Sequence, residues 1–140
     1  MYRFDGIDNW ADCGCPDLRV VHLGVHNGDL FGLSYDAGGF FKYKGNDNWQ
    51  RLGPVPDSTQ AYSMAIYEGH LRVGTWPTGT VFTYNGPQKW TNSGRLGMEK
   101  EVMGMAVYNG KLYAGTLPLA DVYRFDGATK WTSVGQLDKT

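Results

Sequence analysis

Large apolar residues alternate with small or polar ones in short stretches that recur along the chain. The clearest run through Val21, Leu23 and Val25, through Tyr62, Met64 and Ile66, and through Met103, Met105 and Val107. Between them stand His22 and Gly24, Ser63 and Ala65, and Gly104 and Ala106. A period of two puts the large set on one face of a β-strand and the small set on the other. Each stretch then meets a dipeptide, Asn27-Gly28, Glu68-Gly69 or Asn109-Gly110, followed by a second apolar segment opening at Leu30, Leu71 or Leu112. Residue pairs of the Asn-Gly type between two such segments predict a tight hairpin, because both central positions need positive φ. Nothing in the chain follows the 3.6-residue apolar spacing of an amphipathic helix.

The pattern is a repeat. Tryptophans at Trp10, Trp49, Trp90 and Trp131 are separated by 39, 41 and 41 residues. Glycines keep the same step before them (Gly6, Gly45, Gly86, Gly127) and after them (Gly14, Gly53, Gly94, Gly135). A second hairpin is predicted around Phe4-Asp5-Gly6, Tyr84-Asn85-Gly86 and Phe125-Asp126-Gly127. The last unit reads as four strands, Val102–Tyr108, Lys111–Thr116, Val122–Phe125 and Trp131–Gly135. Four short strands in a repeat of about 40 residues are the mark of a β-propeller blade. The expected fold is therefore all-β, a run of four-stranded antiparallel blades. The large and small faces of the first strand suit wedges crowded around an axis.

The chain divides into a half blade over 1–17 and blades over approximately 18–57, 58–99 and 100–140. The half blade supplies only third and fourth strands. Rings of this fold have at least about four blades, so each chain is expected to hold an incomplete ring with open sheet edges and uncovered apolar faces. A piece of a longer propeller is one explanation. A homodimer that completes the ring is the preferred one.

The spacing from Tyr84 to Trp90 and from Phe125 to Trp131, with Gly74 and Gly115 ten residues before each aromatic, resembles the kelch repeat. The resemblance covers nearly the whole chain. Kelch repeats usually carry Gly-Gly after the second strand, where this chain has Gly74-Thr75, Gly115-Thr116 and Leu33-Ser34. The resemblance is thus to a kelch-like propeller rather than to the family proper.

Composition narrows the function classes. The formal charge of −1 and isoelectric point near 6.3 argue against a nucleic-acid binder. No apolar run approaches the roughly 20 residues of a membrane span, and no signal peptide is evident, so location stays open. Cys13 and Cys15 lack further Cys or His ligands nearby and read as ordinary blade positions rather than a metal site. No cofactor motif is present.

Propeller ligands sit at one end of the channel, on the loops after the second strands and between blades. Those positions nominate Tyr35, Asp36, Trp76, Thr78 and Asp121, with Arg19, Gln60 and Glu101 from the inter-blade connections. Tyr35 and Trp76 can stack on a sugar ring while Asp36 and Asp121 accept hydroxyl hydrogen bonds. No catalytic residue is assigned. His22 is the one histidine placed for a ligand or base role; His26 and His70 flank hairpin turns. The expectation is a module that binds a glycan or a protein. The alternatives are a fragment of a propeller enzyme, of glycoside hydrolase or lyase type, and a scaffold segment.

Overall fold

A computed structural model describes residues 1–137, which form fourteen strands and no helix. Strands β1 (Tyr2–Phe4) and β2 (Trp10–Asp12) pair alone. Strands β3 (Val20–His26), β4 (Asp29–Ser34), β5 (Phe40–Gly45) and β6 (Asn48–Arg51) make the first four-stranded sheet. The second holds β7 (Gln60–Tyr67), β8 (His70–Trp76), β9 (Thr80–Tyr84) and β10 (Trp90–Arg95). The third holds β11 (Glu101–Tyr108), β12 (Lys111–Leu117), β13 (Asp121–Gly127) and β14 (Lys130–Gln136). Each four-stranded sheet is an antiparallel meander in chain order, so each is a blade, and the ring is not closed.

The first hairpin of each blade turns where the dipeptides stand. Asn27, Glu68 and Asn109 take φ of 50°, 51° and 45°, and Gly28, Gly69 and Gly110 follow at 78°, 72° and 68°. The second hairpin differs from the expected two-residue turn. Its glycine is not a turn centre but leaves the strand at a bulge, with φ of 103° at Gly45 and 104° at Gly127. The left-handed turn residue comes next, at Asn46 and Ala128. The bulge adds a residue, so aromatic and Trp still face one another: Tyr43 pairs with Trp49, and Phe125 with Trp131.

Packing between blades explains the alternation. A Cβ on Gly24 would lie 2.4 Å from the Met64 Sδ of the next blade. A Cβ on Gly74 would lie 2.6 Å from Val102 Cγ1, again one blade on. At these two joints the small face of an inner hairpin thus receives an apolar side chain from the first strand of the next blade. The Ser63 hydroxyl, also on the small face, donates across the same joint to the Val102 carbonyl at 2.7 Å. Phe31, Leu33, Phe40, Met64 and Leu71 anchor the core between the first and second blades. Val81, Leu96, Val102 and Tyr123 anchor the one between the second and third.

The repeated tryptophans are inter-blade ties. The Trp49 indole N–H donates to the Cys13 carbonyl, and the Trp131 N–H to the Ser93 carbonyl, each at 2.8 Å. Cys13 and Ser93 hold the same repeat position, three residues after a Trp. Both cysteines are free thiols. The buried Trp90 N–H finds no such acceptor among the described residues, and Trp10 is 60% exposed.

The two ends of the arc are unlike. At the first full blade the large face is bare: Val21 is 40%, Leu23 46% and Val25 63% exposed. At the third blade the small face is bare among the described residues, none of which a Cβ on Gly104 or Gly115 would touch. Around those glycines lies a hollow of about 300 Å³ lined by Met103, Leu117, Val122 and Leu137. Met103, expected on the large face, stands beside the glycines because β11 bulges between Val102 and Gly104, which turns Val102 inward instead.

Candidate functional site

The loops after the second strands and the inter-blade connections gather at one end of the blades, and the first-hairpin turns at the other. On the loop end, β3 and β7 start beside each other, and Tyr35 leaves β4 next to Arg19. The Tyr35 N–H donates to the Arg19 carbonyl at 3.0 Å. The Arg19 guanidinium then lies 4.8 Å over the Tyr35 ring and 2.5 Å from Asp36 Oδ1. Hydrogen bonding to that guanidinium holds the Asp36 carboxyl below the ordinary range, and the Ser34 hydroxyl accepts the Asp36 N–H at 2.9 Å.

Tyr35 meets Tyr62 edge to face, with centroids 4.9 Å apart and planes at 87°. The buried Tyr62 hydroxyl donates to Gln60 Oε1. Burial, then contact with Tyr35 and the charge of Glu101, push the Tyr62 phenol far up. It therefore stays protonated at neutral pH and acts as a hydrogen-bonding group, not as a base. Five of the eight nominated residues, Arg19, Tyr35, Asp36, Gln60 and Glu101, thus gather around Tyr62.

Of the other three, Trp76 borders the cluster, and none shares a hydrogen bond or ring contact with Tyr35 or Tyr62 among the described residues. Trp76 ends β8, half-buried, beside Gln60 in the strand register, and its carbonyl accepts the Thr59 N–H at 3.0 Å. The Thr78 hydroxyl is buried without a partner. Asp121 belongs to the third blade, where Tyr123 donates to its Oδ2 at 3.2 Å. Nearby, the fully buried Glu99 accepts the Leu119 N–H through Oε2 at 3.1 Å, while its Oε1 has no partner.

Tyr62, Tyr123 and Glu99 were not nominated from the sequence. The signal for them was a departure within the repeat. Tyr62 stands where the other blades carry Val21 and Met103, Tyr123 where they carry Phe41 and Phe82, and Glu99 where the second blade carries Ser58. His22 shares the small face with Gly24 and so turns toward the second blade. Burial lowers its pKa, favouring a neutral ring. Among the described residues, no group of three or more His, Cys, Asp or Glu is arranged to hold a metal ion, and no helix is long and apolar enough to cross a membrane.

The blade arrangement has parallels among solved structures. Virginiamycin B lyase from Staphylococcus aureus superposes with a TM-score of 0.70 at 14% identity, over 89% of this chain and 44% of that one. This is an incomplete β-propeller. A catalytically inactive form of the lyase with quinupristin gives 0.68 at 12% identity, over 85% of the propeller arc and 42% of the lyase. The extracellular domain of a protein assigned as a one component system in B. thetaiotaomicron gives 0.65 at 18%, over 85% and 16%. The arc spans less than half the length of each. No family model and no curated protein matches its sequence.

Proposed function

We propose that this partial propeller is a kelch-like binding module whose ligand, a glycan, sits on the loop end around Tyr35 and Tyr62. The observation that carries the reading is the cluster itself. It sets a half-exposed aromatic ring beside a charge pair, a carboxamide and a carboxylate within a few ångströms. Apolar ring faces and hydroxyl-matching polar groups are what a sugar ring needs from its site. A panel of immobilised glycans tests it. At least one glycan is expected to bind, with Tyr35→Ala and Asp36→Asn each weakening it about tenfold or more; silence across the panel sinks the glycan assignment.

The module is also proposed to act as a homodimer that covers the open ends of two arcs. The support is the exposed valine and leucine face of the first blade and the glycine-lined hollow of the third. Light scattering on a sizing column is expected to give twice the chain mass of 15.6 kDa. A clean monomer at micromolar concentration removes the dimer.

A further inference from the structure

Away from the loop end, on the side of the hairpin turns, the joint between the second and third blades opens into a cleft of about 300 Å³. Its floor is Arg72, on β8, only 7% exposed. An arginine this buried is ordinarily paired with a carboxylate, because an uncompensated charge inside a protein is costly. Arg72 is not. The four ion pairs among the described residues do not include it. Its Nε is buried with no hydrogen-bond partner among the described residues.

Two rings hold the side chain in place. The guanidinium carbon lies 4.4 Å over the Phe125 ring and 5.6 Å over that of Tyr67. A ring attracts the cation through its π face and does not satisfy N–H donors that need an oxygen. Burial draws the Arg72 pKa down, and the rim carboxylate Glu68, too distant for an ion pair, only partly offsets this.

The fold does not demand an arginine here. Phe31 and Tyr113 occupy the same position in the other two blades. At the preceding joint the corresponding cleft, about 410 Å³, holds a cation that already has a counter-ion, Lys42 with Asp29 at 2.5 Å. Among the described residues, only the second joint presents a fixed cation with donors to spare. Around it stand groups suited to hydroxyls. Asn85 donates to Thr91 Oγ1 at 2.8 Å. His70 bonds the Glu68 carbonyl through Nδ1 at 2.8 Å, leaving Nε2 free.

We propose that this cleft binds a small organic carboxylate through Arg72, with polyhydroxylated acids such as uronates as the fitting class. One guanidinium, with Glu68 at the rim, matches a monoanion better than a doubly charged phosphate. The site is separate from the loop-end cluster and stands or falls independently of it.

The test is a titration of the isotope-labelled protein followed by NMR, with glucuronate, acetate, glucose and inorganic phosphate as probes. Glucuronate and acetate are expected to shift the Arg72 Nε–H and the amides of Thr83 and Ser93 saturably; glucose is not. Arg72→Met keeps the packing stem and is expected to abolish the shifts. Glu68→Gln, which removes the competing charge, is expected to tighten binding severalfold. Identical shifts in Arg72→Met, no shifts with either carboxylate, or phosphate binding more tightly than acetate would each overturn the assignment. An amide spectrum of Arg72→Met that stays dispersed separates a lost site from a lost fold. Should that variant fail to fold, an unchanged affinity in Glu68→Gln overturns the proposal by itself.

Discussion

Phe40→Ala is expected to cost about 3–5 kcal/mol of unfolding free energy, a large share of the roughly 5–15 kcal/mol typical of a domain. Phe40 opens β5 and is fully buried. Its ring stacks on Phe31 at 5.3 Å and meets Tyr84 and Trp90 edge-on at 4.9 and 5.1 Å. Those rings belong to two blades, so removing Phe40 empties the joint between them. Three rigid aromatics anchored on separate strands cannot collapse far into the space, which puts the cost at the upper end for such a change. Trp10→Ala provides the internal control. It removes a larger side chain from the same repeat position as Trp90, yet Trp10 is 60% exposed and touches chiefly Phe4, at 5.0 Å. Its cost is expected to stay under about 1 kcal/mol. Urea unfolding curves of the two variants decide the matter, and equal midpoints would mean that the joint is not where stability resides.

The second expectation concerns two glycines that occupy one repeat position. Gly74→Ala is expected to destabilise by about 1–3 kcal/mol, while Gly115→Ala stays within about 0.5 kcal/mol. A methyl on Gly74 would sit 2.4 Å from the Ser63 hydroxyl oxygen and 2.6 Å from Val102 Cγ1. Ser63 must turn away, giving up its hydrogen bond to the Val102 carbonyl, and the third blade must move back from Val102. A methyl on Gly115 meets none of the described residues. Neither glycine has the positive φ that would strain alanine, so the comparison isolates crowding. Should a second molecule cover the third blade, Gly115→Ala would lower the association constant while leaving the unfolding of the single chain untouched.

Much of this fold was legible because a repeat prints the same physical requirement several times. Asn27-Gly28, Glu68-Gly69 and Asn109-Gly110 each had to supply two left-handed residues, and they do. The large and small faces of the first strands foretold the wedge, and Met64 against Gly24 is that wedge at atomic scale. The second hairpin turns two residues later than its Asp-Gly or Asn-Gly pair suggests, because such a pair looks alike at a turn centre and at a bulge. The spacing to the following Trp distinguishes the two only once the strand register is known. At the loop end, position in the repeat sufficed to gather Arg19, Tyr35, Asp36, Gln60 and Glu101. It gave no hint of Tyr62, whose residue type fits a core strand while its hydroxyl serves the cluster. Arg72 was hidden for a related reason. An arginine beside a turn reads as solvated surface, and only the neighbouring blade's Phe125 reveals that it is covered.

The unlike ends of the arc give any self-contact made through them a direction. A surface that is a ridge on one side of the molecule and a furrow on the other joins head to tail, not face to like face. Such a joint has no built-in stopping point. It ends only when the angles turned by successive copies sum to a full circle, and otherwise it goes on adding copies along a helix. The angle between blades, fixed by contacts such as Met64 on Gly24 and Val102 on Gly74, is thus also the quantity that separates a finite assembly from a fibre.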